Sequence, residues 1–86
     1  MCTEINERAA IAGSAKGPQG WMTIDTANVS YDHPYHAPLE HSLNIDFTNE
    51  GAGGRDRVAV ELSAEAARAL VAAIERALGQ GAAQHV

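Results

Sequence analysis

Three of the four histidines and two of the three prolines fall in one ten-residue run, Asp32-His33-Pro34-Tyr35-His36-Ala37-Pro38-Leu39-Glu40-His41. Imidazole is the commonest biological metal ligand and the side chain that titrates nearest neutral pH. Two prolines remove two backbone donors and fix two dihedrals, so the run predicts a stiff, non-helical loop. If the strands on either side pair, His33 and His41 come close in space, and His36 can fold back toward them from the tip. Three imidazoles with a carboxylate would make a tetrahedral or facial site for a divalent transition metal (zinc, iron, manganese or copper). Glu40 can complete such a shell, and Asp32 can complete it or orient an imidazole from behind.

Strand parity narrows the set. Neighbouring strand residues face opposite sides, so Glu40 and His41 cannot both enter one site from a regular strand. His41 shares the parity of Leu43, Ile45 and Phe47, and His33 that of Val29 and Tyr31, so both turn inward. They are the favoured pair. The third donor is His36 or a group from elsewhere, and Cys2 is a candidate. Removal of Met1 would leave Cys2 with a thiolate and a free amine together, a terminus that can chelate a metal or attack as a nucleophile. Against the site stands an ordinary structural reading. Asp32 can accept from the backbone in an Asx-turn, His33 and His41 can pin a hairpin register, and His36 can be solvated. No H-E-x-x-H or C-x-x-C spacing supports the metal. Enzyme activity stays open, with Cys2 or a histidine as the acid, base or nucleophile if no metal binds.

Composition excludes several classes. Eighty-six residues make one domain, expected to bury about 60–65% of its unfolded surface. Eleven acidic against six scattered basic residues leave a net charge of −5, which argues against nucleic acid. One cysteine forms no internal disulfide and suits a reducing compartment. No basic region followed by an apolar stretch opens the chain, so no signal peptide is expected. The most apolar stretch, residues 64–78, carries Glu65, Arg68, Glu75 and Arg76, so no membrane span is expected either. These features suit a soluble cytoplasmic protein.

The elements that must position the loop follow from periodicity. Residues 3–11 alternate weakly and predict a first strand. Gly13 to Gly20 holds three glycines and a proline and predicts a loop, not a phosphate-binding one, because no helix follows. Residues 21–31 predict a strand whose inward parity changes near Asp25-Thr26, the sign of a bulge. Residues 41–48 alternate most cleanly, 49–54 predict a hairpin loop, and 55–62 a fourth strand with Val58, Val60 and Leu62 inward. Ser63 predicts an N-cap, and Ala67, Leu70, Val71, Ile74, Ala77 and Leu78 then form an apolar stripe at helical spacing. Gly79 is the expected stop.

The order predicts an α+β fold, a four-stranded antiparallel sheet packed on one C-terminal helix (β-β-β-β-α). Residues 1–79 form the single domain and 80–86 a flexible tail. An incompletely polar second sheet face and two sheet edges suggest a homodimer or other homo-oligomer, with a larger protein as a possible partner.

The opening Met1-Cys2-Thr3, the stretch from Gly13 to Trp21, the run from Tyr31 to His41 and Asn44-Ile45-Asp46-Phe47 together resemble a group of small uncharacterised bacterial proteins. Such proteins occur mostly in high-GC Gram-positive genomes. The resemblance extends from Met1 to about Gly79. It implies that the Cys-Thr start and the histidine loop belong to a shared pattern, and it carries no catalytic role. Two functions are therefore expected. The first is a metal-binding protein using His33, His36 and His41 with Glu40, Asp32 or Cys2. The second is a metal-free homo-oligomeric binding or accessory module acting through its sheet face and edges.

Overall fold

A computed structural model describes residues 5–85. Four strands, β1 (Ile5–Gly17), β2 (Gly20–Asp32), β3 (Ser42–Thr48) and β4 (Arg57–Leu62), form one antiparallel sheet in chain order. A single 3-10 turn at Glu50–Ala52 links β3 to β4, and a C-terminal helix, α1 (Ala64–Ala83), follows. The α+β architecture expected from the alternation is present.

Pairing fixes two faces. Val29, Ile45 and Val60 lie side by side across β2, β3 and β4, as do Tyr31, Leu43 and Leu62. This apolar face looks toward α1. On the other face Ser30, Asn44 and Glu61 form one cross-strand row, and Asn28, Asp46 and Ala59 the next. The fourth-strand parity expected from Val58, Val60 and Leu62 holds, since these residues are half-buried on the helix side.

Three local expectations are corrected. The glycine-rich segment Gly13–Gly20 is mostly strand. β1 runs on to Gly17, and only Pro18 and Gln19 turn, with Gly20 at φ 111° closing the hairpin. Pairing with a long partner strand outweighs the weak strand propensity of glycine and alanine. The bulge sits at the expected height but on the other strand. Ala10 pairs with Thr26 and Gly13 with Ile24, so the extra residue lies in β1 opposite Asp25. Finally, α1 passes through Gly79 and Gly81 to Ala83. Glycine ends a helix when it takes a left-handed φ. Gly79 does not take one; His85 does so beyond the Gln84 cap, at φ 58°.

The core is thin. Among the described residues, the buried hydrophobic side chains are Ile24 and Ala27. No residue of α1 is buried, and Leu70, Val71, Ile74 and Leu78 all remain exposed. Between α1 and the apolar face lies an open cleft of 880 Å³. The chain exposes 6623 Å². A compact monomer of this mass exposes about 4,850 Å², and its unfolded chain about 13,000 Å². Folding therefore buries about half the surface rather than the expected 60–65%. The radius of gyration, 14.5 Å, likewise exceeds the roughly 12 Å of a compact domain of this length.

With so few hydrophobic side chains buried, Ile24 should matter most to the isolated fold. Ile24→Ala is expected to cost about 2–4 kcal/mol in urea unfolding; a change below about 0.5 kcal/mol would show that this site is not core.

Candidate functional site

The proline-containing loop, residues 33–41, crosses the polar face of the sheet and is held there from below. Pro34 and Pro38 give it no backbone donor, and a loop this short makes few bonds to itself. One internal bond, from the Leu39 N–H to the Ala37 carbonyl at 2.8 Å, closes a tight turn around Pro38. Three further amides reach across the sheet. The Glu61 carboxylate accepts from three consecutive amides: Tyr35, His36 at 3.1 Å and Ala37 at 2.8 Å. Hydrogen bonds to the charged carboxylate hold the Glu61 pKa below the usual glutamate range, with the Ala37 amide contributing most and the Tyr35 amide next.

The loop ends are pinned separately. Asp32 Oδ1 accepts from the amide of the next residue, His33, at 2.7 Å; this is not the expected Asx-turn, whose donor would be residue 34, because Pro34 has no N–H. His33 Nδ1 lies 3.0 Å from the Glu40 carbonyl oxygen. A carbonyl only accepts, so this nitrogen carries the proton. Ser42, fully buried at the loop's exit, donates to Asn44 Oδ1 at 2.5 Å. On the apolar side the rings stack in series. Tyr31 and His41 have centroids 5.7 Å apart, and His41 and His33 5.0 Å, with planes inclined by 16° and 27°.

The structure thus brings His33 and His41 together, as strand parity required. His36 and Glu40 join them differently. His36 enters the Glu61 clamp through its main-chain amide, and Glu40 contributes its main-chain carbonyl to His33. Among the described residues no three His, Cys, Asp or Glu side chains gather in a way that could hold a metal ion. Cys2 lies outside the described residues.

Beneath the loop is a pocket of 390 Å³, lined by Ser30, Asp32, Asn44, Asp46, Arg57 and Glu61 together with Tyr35. Its charges are already engaged: Arg57 lies 3.3 Å from Asp46, and Glu61 holds the loop. Tyr35 itself is 97% exposed. Glu61 is the residue that sequence reading missed. Its parity, opposite to Val60 and Leu62, placed it on the solvent face, and nothing local marks it as an acceptor for amides 24–26 residues away.

A second clamp repeats the device at the far end of the sheet. Asp25 accepts from the Glu50 amide at 2.8 Å and the Gly51 amide at 3.0 Å, and from the Thr26 hydroxyl at 2.8 Å. Its pKa is likewise held low, by the Gly51 amide first and the Glu50 amide second.

The fold and site define a class: a small antiparallel sheet with one C-terminal helix, carrying a carboxylate-held histidine loop. The chain belongs to a family of unknown function (DUF6295), matched over residues 1–86. No curated protein and no solved structure matches it.

Replacing Glu61 with Ala should speed hydrogen exchange at Tyr35, His36 and Ala37 by about an order of magnitude or more while leaving the β3–β4 amides protected. Unchanged exchange at all three would remove the clamp from the account. Because the carboxylate pKa is depressed in the fold, the clamp's stabilisation is complete above the unfolded glutamate value, about 4.3, and is lost as pH falls through the lowered folded value. Loop amides of the native chain should therefore lose protection only at pH below about 4.

Proposed function

We propose that this chain is a metal-free homo-oligomeric binding module. Another copy closes its apolar face, and the clamped loop on the opposite face meets a partner. One observation carries the first half: the large apolar side chains of α1 stand exposed beside an open cleft on an apolar sheet face. Contiguous apolar surface of this extent is characteristic of protein–protein contact. The loop supports the second half. It is preorganised by a carboxylate, so little ordering entropy opposes binding, and it carries a solvent-facing tyrosine, a residue type enriched among interface hot spots. Among the described residues no helix is long and apolar enough to cross a membrane.

The stacked imidazoles of His33 and His41 favour a second reading, in which the pair forms part of a metal site completed by His36, Glu40 or Cys2. The Nδ1 contact of His33 with the Glu40 carbonyl is compatible with metal ligation through Nε2, but the reading has less support, because among the described residues no third His, Cys, Asp or Glu side chain converges on the pair.

Two measurements separate these readings. Light scattering on the purified chain should give at least twice the 9.0 kDa monomer mass; a monomer at all accessible concentrations rejects the homo-oligomeric module. Protein purified without a polyhistidine tag should hold less than about a tenth of an equivalent of transition metal and take up none on titration. Stoichiometric uptake abolished by His33→Gln with His41→Gln would establish the metal reading instead.

A further inference from the structure

We infer that α1 is the seat of self-association and that two copies pair their helices antiparallel across a two-fold axis near Val71 and Ala72. The inference rests on the homo-oligomeric reading and specifies its surface. Three observations carry it. Among the described residues, four of the eight large hydrophobic side chains that stand exposed belong to α1, with Leu70 43%, Val71 55%, Ile74 49% and Leu78 69% exposed. The chain's 6623 Å² exceeds the surface of a compact monomer by an amount within the roughly 1,000–2,500 Å² per subunit that obligate homodimers bury.

The third observation is charge. Arg68 and Glu75 both line the cleft, amid its apolar residues. Among the described residues neither enters an ion pair within the chain. They lie equally far on either side of the Val71–Ala72 bond, on the same side of the helix two turns apart. An antiparallel two-fold arrangement centred there sets Arg68 of one copy beside the partner's Glu75 and repeats the contact by symmetry. A single opposite-charge pair spaced in this way is self-complementary, as a two-fold interface requires. A parallel arrangement would set like charges against each other. The competing surface is the outer edge of β1, which is exposed along most of its length but has no comparable apolar content.

Sedimentation of the full chain tests this with Arg68→Glu, Glu75→Arg and the double reversal, each checked for native helicity by circular dichroism. Each single reversal places like charges together twice and should weaken the dimer about tenfold or more; the double reversal should return it to within about threefold of the native value. A native dimer that neither single reversal weakens would place self-association on another surface. The homo-oligomeric reading would then stand and this inference would fall. A native chain that stays monomeric rejects both. A monomer that takes up an apolar dye in the cleft also rejects both, and gives the cleft to a small apolar ligand.

Discussion

Backbone donors that cannot pair locally need acceptors, and in this fold that need is met by carboxylates reaching across strands. The loop after β2 has two residues without N–H groups and one internal backbone–backbone bond, yet it lies over a sheet face. Glu61 resolves this by accepting three successive amides, and Asp25 accepts two from the turn after β3. A charged acceptor bonds more strongly than a neutral one, and each bond lowers its pKa, so the carboxylate stays charged to a lower pH than a free one. Each clamp joins elements far apart in the chain, β4 to the β2–β3 loop and β2 to the β3–β4 turn. Together they hold both ends of the sheet.

The two faces of the sheet then diverge in role. The polar face is covered by its own loop, with Ser42 fully buried at the loop's exit. The apolar face is left to α1, which covers it incompletely. A domain this small has a high surface-to-volume ratio, and one amphipathic helix cannot cover four strands. Charge does not oppose closure by a second copy, since the apolar lining of the cleft carries one cation and one anion.

Much of this was legible from spacing. The alternation of residues 41–48 yielded a strand within one residue of its observed start, Ser63 was recognisable as a cap, and strand pairing together with parity joined His33 with His41. Where the reading departed from the structure, a neighbour overrode a local signal. Gly13, Ser14 and Ala15 are extended because β2 lies beside them, and the bulge inferred in β2 belongs to β1. Gly79 stays helical because nothing draws the chain into a left-handed turn there. The fate of His36 and Glu40 was out of reach, since it depends on the Glu61 clamp and on the proton that His33 shares with a carbonyl.

By itself, then, the order of residues determined the elements, their sequence along the chain and which side chains share a face, because those follow from periods of 2 and 3.6 and from the short-range chemistry of caps and turns. Tertiary structure alone decided which carboxylate grips the loop, which imidazoles meet and how much apolar surface stays open. Those outcomes depend on contacts between residues remote in the chain, and no local pattern encodes the distance across a sheet.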